Sequence, residues 1–90
     1  MPWRIEFDPG AEKELSKLGN PNGRRITRFL SERLAMLDDP RSIGEALRGS
    51  KLGSLWKYRV GDFRIIADID DRTITILVVR IGNRRDVYRR

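Results

Sequence analysis

The chain contains neither cysteine nor histidine, and these two absences exclude several classes of site. Without cysteine there is no disulfide and no thiolate-bound zinc. Without histidine the chain lacks the commonest metal ligand of proteins and the commonest general base. Any catalysis must therefore depend on other side chains, and we expect no metal and no other cofactor.

Long apolar runs are also missing. The longest, residues 74–79, is far shorter than the roughly 20 residues that a membrane-spanning helix needs. The N-terminal sequence MPWRIEFD does not contain the hydrophobic region of a signal peptide. With 90 residues the chain has the length of a single domain, residues 1–90, and we expect a cytoplasmic protein.

The positive charge belongs to the second half of the chain. Residues 1–47 contain eight Lys/Arg and eight Asp/Glu, whereas residues 48–90 contain eleven and five, which accounts for the whole net charge of +6. Nucleic acid is the commonest partner of such a surface, because phosphate neutralisation dominates the affinity of protein–nucleic acid complexes. A basic surface that only aids solubility is the alternative.

The periodicity of the apolar residues predicts an α+β fold with a strand, two helices and a three-stranded antiparallel meander, in that order. The elements fall at about residues 3–7, 9–18, 22–37, 55–60, 63–69 and 73–81. Asp8 is the predicted N-cap of the first helix, and the segment GNPNG separates the two helices. Residues 41–53 form a connector with one helical turn near residues 43–47. Since the apolar stripes of the helices have only the sheet to pack against, we expect both helices on one face of the sheet.

The sequence LWKYRVGDFRI predicts a tight hairpin with cations on one face. Gly61-Asp62 suits a type II′ turn, which sets Arg59 opposite Arg64 and Lys57 on the same face. Like charges directly opposite each other destabilise a sheet, so the pattern indicates a preformed anion site. A solvated strand face is the alternative. The opposite, helix-facing side of the hairpin is apolar: Trp56, Tyr58, Val60, Phe63, Ile65, Ala67 and Ile69.

The end of the chain, GNRRDVYRR, adds further cations. If the chain turns at Gly82-Asn83, Arg84 and Tyr88 return beside the hairpin, where Tyr88 stacks on a base or binds a phosphate. A packing role for Tyr88, or a disordered tail, is the alternative.

The last strand is apolar on both faces, and its open face is a candidate surface for a partner peptide. We expect Ile74, Ile76 and Val78 on the core face and Leu77, Val79 and Ile81 on the open face.

The order of these elements, with the motifs LRGS, LWKYRVGDFRI and VVRIGNRRDVY, closely resembles the RelE branch of the RelE/ParE toxins of bacterial toxin–antitoxin systems. The resemblance covers nearly the whole chain and implies the RelE-like α+β fold. It implies a toxin that cleaves messenger RNA on the ribosome, without a metal, by attack of the 2′-hydroxyl on the adjacent phosphate. It also implies a RelB-like antitoxin protein as partner.

By this resemblance the catalytic residues are Lys57, Arg59, Arg64, Arg84 and Tyr88. Lys57 is the candidate base, because lysine can lose a proton whereas arginine is effectively always protonated. Arg59 and Arg64 hold the phosphate. Arg84 stabilises charge at the leaving group, and Tyr88 orients the base or the nucleotide.

Arg48, Lys51 and Arg85 are expected to contact the RNA backbone, which positions the RNA without chemistry. Many relatives carry a histidine where Asn83 stands, so the match of Arg84 is less specific than that of Arg64. Two alternatives stay open: a ParE-type toxin that inhibits DNA gyrase on the same fold, and a non-catalytic RNA-binding module. Because ParE-like chains usually lack the paired strand cations and the C-terminal tyrosine, the residues present here favour the nuclease.

Overall fold

The structure, a computed structural model, describes residues 2–47 and 55–85. Its strands and helices are β1 (Arg4–Phe7), α1 (Pro9–Lys17), α2 (Asn20–Arg28), β2 (Glu45–Ala46), β3 (Leu55–Val60), β4 (Phe63–Asp70) and β5 (Thr75–Asn83). The sheet order is β1-β5-β4-β3-β2, with β1 parallel to β5 and the other neighbours antiparallel. None of the helices in the described ranges has the length and apolar character needed to cross a bilayer.

The predicted α+β architecture is confirmed, with the helices on one face of the sheet. The start of α1 is as predicted, since the Asp8 carboxylate accepts the Gly10 N–H at 3.0 Å and Pro9 occupies the first helical turn. The core contains apolar residues of the hairpin and of the segment predicted as the second helix. Its buried members are Ala11, Ile26, Leu30, Leu34, Tyr58, Val60, Ile65, Ala67, Ile76, Val78 and Ile81.

The second helix differs from its prediction at both ends. It begins at Asn20 because Pro21 fits a first helical turn, and Gly19, at φ 81, provides the left-handed residue that links it to α1. The segment GNPNG therefore starts the helix instead of separating two helices. After α2 the chain continues as a π-helical turn, Phe29–Arg33, and a 3-10 turn, Leu34–Met36, so the predicted regular helix ends early.

The helical turn predicted near residues 43–47 is wrong. Pro40–Ile43 forms a 3-10 turn, and β2 then pairs with β3 as a short edge strand. Tyr58 explains this path, because its buried hydroxyl donates a hydrogen bond to the Pro40 carbonyl at 2.8 Å. Gly44 lies flat against the same ring, so close that a Cβ would be 2.7 Å from the Tyr58 Cε1. The extended backbone of β2 then satisfies part of the β3 edge.

The last strand lies two residues further along the chain than predicted and contains a β-bulge. The register between β4 and β5 shifts by one residue, which leaves Val79 as the extra residue. Side chains beyond the bulge therefore change face, and Ile81 is in the core at 1% exposure. The prediction that Ile81 lies on the open face is wrong. Since β5 ends at Asn83, the turn predicted at Gly82-Asn83 is also wrong.

The contact between Gly44 and Tyr58 predicts that Gly44→Ala is destabilising. A methyl group at 2.7 Å from the buried ring forces the ring or the connector to move, at a cost of about 1–3 kcal/mol. Gly23→Ala is the control, because Gly23 lies within α2 with its nearest neighbour at 3.7 Å, and it should stabilise by about 0.5–1 kcal/mol. Urea unfolding gives the free energy of unfolding of both variants. Equal changes in the two variants would contradict the predicted effect of the Gly44–Tyr58 contact.

Tyr58 also predicts a pH dependence of stability. Burial raises the pKa of Tyr58 to about 12, although Arg41 opposes the shift. The unfolded chain loses the tyrosine proton near pH 10 while the folded chain keeps it, so stability falls between pH 10 and 12, by up to about 3 kcal/mol. Tyr58→Phe should lower the unfolding free energy by about 1–2 kcal/mol at pH 7, because the Pro40 carbonyl loses its donor. Above pH 10 the difference in unfolding free energy between the wild type and Tyr58→Phe should shrink and then change sign. A constant difference up to pH 12 would contradict the prediction.

Candidate functional site

The hairpin has the predicted register. Gly61 and Asp62 join β3 to β4, and Arg59 is directly opposite Arg64, with Lys57 two residues before Arg59 on the same strand face. Gly61 has φ 59 while Asp62 has a negative φ, which is the combination of a type II′ turn. The two arginines and the lysine are therefore together at one end of the open face.

Arg64 is folded onto this turn rather than extended into solvent. Its Nη1 donates to the Gly61 carbonyl at 3.1 Å and to the Phe63 carbonyl at 2.9 Å, and the residue is only 9% exposed. The partial negative charges of the two carbonyls offset some of the repulsion from Arg59. Within the described part of the chain, the hydrogen bonds of this guanidinium are confined to Nη1. Arg64 is thus held in a fixed position with donors left for an anion.

Lys57 has an acidic neighbour that sequence reasoning missed. Glu45 of β2 is directly opposite Lys57 across the β2–β3 pair, and its Oε1 lies 3.7 Å from the lysine Nζ. Residue 45 had been predicted in a helical turn, and no local pattern marks a strand of two residues. The pair is accessible, because the Glu45 side chain is 73% exposed. Lys57 is therefore held next to a negatively charged carboxylate.

Arg84 comes back to the hairpin as the sequence predicts, although by a different path. Its backbone N–H donates to the Asp62 carbonyl at 2.8 Å, immediately after the end of β5. The Arg85 N–H then bonds to the Asn83 side chain at 3.1 Å, which bends the chain. The backbone of Arg84 is thus bound to the turn that joins Arg59 to Arg64. The other predicted site residues, Arg48, Lys51 and Tyr88, lie outside the described residues.

A second acid missed by sequence reasoning, Glu14 of α1, fixes the end of β5. The strand runs beyond the last residue that pairs with β1, and the Glu14 carboxylate accepts the Ile81 N–H at 2.9 Å on that edge. The other oxygen of Glu14 lies 3.6 Å from the Arg80 Nε. Through these contacts α1 holds the strand segment that leads to Arg84.

Among the described residues, the two ends of the open face differ in charge. At the end opposite the hairpin turn a shallow pocket of ≈ 290 Å³ brings Glu6, Asp68 and Asp70 together, with Arg4 paired to Glu6 at 3.0 Å. A polyanion is repelled by these carboxylates and attracted to the hairpin end. Within residues 2–47 and 55–85, no group of three acidic side chains is arranged to hold a metal ion. The described part of the face thus presents its cations at the hairpin end and its carboxylates at the other end.

Comparison with known proteins identifies relatives along the whole chain. Residues 5–88 match the family described as the ParE toxin of the type II toxin–antitoxin system, parDE. The chain is 30% identical to the toxin RelG of Mycobacterium tuberculosis over the full length of both proteins. It is 29% identical to the mRNA interferase toxin RelE of Escherichia coli, over 98% of this chain and 92% of that protein.

Solved structures give the same result for the fold. The toxin–antitoxin complex RelBE2 of Mycobacterium tuberculosis contains a chain with a TM-score of 0.82 and 27% identity, covering 96% of this chain and 95% of that one. The intact Escherichia coli RelBE complex gives a TM-score of 0.72 and 25% identity, with 90% and 95% coverage. The chain therefore belongs to the ParE toxin family of type II toxin–antitoxin systems, in the RelE branch of the RelE/ParE superfamily.

Proposed function

We propose that this chain is the toxin of a type II toxin–antitoxin pair and a ribosome-dependent, metal-independent endoribonuclease that cleaves messenger RNA and inhibits translation. The observation that carries the proposal is the grouping of Arg59, Arg64 and Arg84 around one turn, with Lys57 on the same strand face. The similarity to the Escherichia coli mRNA interferase toxin RelE supports the same activity.

The proposed reaction is an internal transfer at one phosphodiester of the RNA. A base removes the proton of the 2′-hydroxyl, the 2′-oxygen forms a bond to phosphorus, and the bond to the 5′-oxygen breaks. The departing 5′-oxygen takes up a proton, so the products are a 2′,3′-cyclic phosphate and a 5′-hydroxyl. The reaction needs no water and no metal at this step, but it needs positive charge at the phosphorane.

The roles of the residues follow from their positions. Lys57 is the proposed base, and Glu45 fixes its position through the ion pair. Arg59 and Arg64 bind the non-bridging oxygens of the phosphate, Arg64 through the guanidinium donors that the turn does not use. Arg84 stabilises charge on the 5′-oxygen. By resemblance, Tyr88 orients the nucleotide.

We also propose a cognate antitoxin as partner, since the two solved complexes compared above each pair a toxin with an antitoxin. The contact that we assign to it is the open face of β5 at Leu77, which is half-buried and borders the acidic end of the sheet. An antitoxin segment with apolar and basic residues fits this end. The hairpin end then remains the surface that binds RNA.

Two substitutions of Lys57 separate proton transfer from charge. Lys57→Ala should reduce cleavage of messenger RNA on purified ribosomes by about 10²–10⁴-fold, with ribosome binding mostly retained. Lys57→Arg keeps the charge but cannot act as a base near neutral pH, so a similar loss is expected if Lys57 moves a proton. Single-turnover cleavage rates, measured with saturating enzyme, give the loss of activity of each variant.

Lys13→Ala is the control for these variants, because Lys13 is exposed on α1 and outside the site. Full activity of Lys57→Arg would assign Lys57 to charge stabilisation alone. Full activity of Lys57→Ala would contradict its catalytic assignment. If the wild-type chain cleaves no messenger RNA on ribosomes and instead inhibits DNA gyrase, the ParE-type alternative is correct.

The ion pair with Glu45 predicts a gain in RNA affinity when the carboxylate is removed. Glu45→Gln should strengthen binding of single-stranded RNA by about two- to fivefold at low salt, because one repulsive charge beside Lys57 disappears. Glu12→Gln on α1 has the same change in net charge and should leave affinity within about twofold. Fluorescence anisotropy with a labelled RNA checks this, and equal gains from the two variants would show that only net charge matters.

A further inference from the structure

A crevice between the helical layer and the hairpin lies beside the candidate site. Its volume is ≈ 320 Å³, and it borders the part of β3 that β2 does not reach, since β2 pairs only with Trp56 and Lys57. The crevice is lined by Arg25, Phe29, Arg33, Ile43, Arg59, Val60 and Gly61. Three arginines, two from the helical layer and one from the strand, therefore open into one space, and its lining contains no acid.

The described residues do not compensate the charges of this crevice with a carboxylate partner. Some arginines elsewhere on the surface have carboxylate partners, as in the pair of Arg41 with Asp71 at 2.7 Å. For Arg25, Arg33 and Arg59, by contrast, residues 2–47 and 55–85 provide no side-chain hydrogen bond and no ion pair. Three like charges around one small space repel each other, and an anion in the crevice relieves that repulsion.

The hairpin turn holds one of these arginines in place. The Arg25 guanidinium lies against the open side of Gly61, where a Cβ would be 2.7 Å from its Nη1 and 2.9 Å from its Nη2. The same glycine accepts the hydrogen bond of Arg64 through its carbonyl. The turn therefore separates the candidate catalytic face from the crevice, and Arg59 is the residue that the two share.

We propose that this crevice binds a phosphate of the RNA strand next to the phosphate that is cleaved; this inference rests on the proposed function. A strand whose scissile phosphate lies at Arg59 and Arg64 reaches the crevice when it continues past the turn, because Arg59 borders both surfaces. Arg25 and Arg33 bind the phosphate oxygens. Phe29 and Ile43 provide apolar walls for the attached sugar or base. Because Arg59 is shared, the observations favour the RNA over an acidic protein segment as the occupant.

The test compares two double variants of the purified full chain that carry the same net charge. Arg25→Ala/Arg33→Ala removes the two crevice arginines, whereas Arg24→Ala/Arg72→Ala removes two exposed arginines that do not line it. The probe is a fluorescein-labelled 12-nucleotide single-stranded RNA with 2′-O-methyl groups, which the proposed reaction cannot cleave. Fluorescence anisotropy gives its dissociation constant over a range of salt concentrations.

The crevice variant should bind the probe about tenfold more weakly at low salt. The slope of log association constant against log salt concentration should become less steep by about 0.7–1.4, which corresponds to the loss of one or two phosphate contacts. The control variant should stay within about twofold of the wild type. Equal weakening by the two variants would overturn the proposal. So would unchanged RNA binding by the crevice variant together with weaker binding of a labelled poly-glutamate peptide, because the crevice would then recognise an acidic protein.

Thermal unfolding of both double variants verifies that they fold, which is expected because all four arginines are exposed. The binding measurement is independent of cleavage, so it separates a failure of the crevice proposal from a failure of the proposed function. A wild-type chain that cleaves no messenger RNA on ribosomes refutes the proposed function, whereas loss of the difference between the two double variants refutes the crevice.

Discussion

The Gly61-Asp62 turn is the constraint on which the site depends. Its positive φ at Gly61 suits the twist of the two strands and fixes a register in which Arg59 faces Arg64. The two carbonyls of the turn bind neighbouring arginines. The Gly61 carbonyl accepts a hydrogen bond from the Arg64 side chain, and the Asp62 carbonyl accepts one from the Arg84 backbone N–H. A slip of one residue would turn the cations into the core and Tyr58 into solvent, so packing of the helices enforces the geometry of the site.

The three hairpin cations tolerate one another by different means. Arg64 is surrounded by backbone carbonyls, and Lys57 lies beside the Glu45 carboxylate, so both have nearby negative charge. Arg59 has no ion pair within the described ranges and remains exposed to water, which screens its charge. The cost of placing like charges opposite each other is therefore small. The residue that carries the unbalanced charge is also the one that borders both the strand face and the crevice.

The sequence predicts what local patterns determine. The hairpin, its turn type and the separation of its faces all follow from alternation and from one Gly-Asp pair, and the start of α1 follows from Asp8 and Pro9. The missed features depend on distant partners. Strand β2 forms because Tyr58 binds the Pro40 carbonyl, and Glu14 meets the β5 edge only after α1 has packed on the sheet. The bulge at Val79 depends likewise on the register with β4, which reverses the predicted position of Ile81.

The charge along β4 changes sign between the two ends of the open face. Arg64 lies near one end of this strand and Asp70 at the other, six residues apart, or about 20 Å at the rise of a β-strand. Salt screens charges beyond about 8 Å at physiological ionic strength, so the acidic end does not cancel the field of the hairpin end. Within the described part of the face, a polyanion is therefore attracted to the hairpin end, while a basic partner is attracted to the acidic end. This separation fits the proposed RNA site at one end of the face and the proposed antitoxin contact at the other, because the two charges do not neutralise each other.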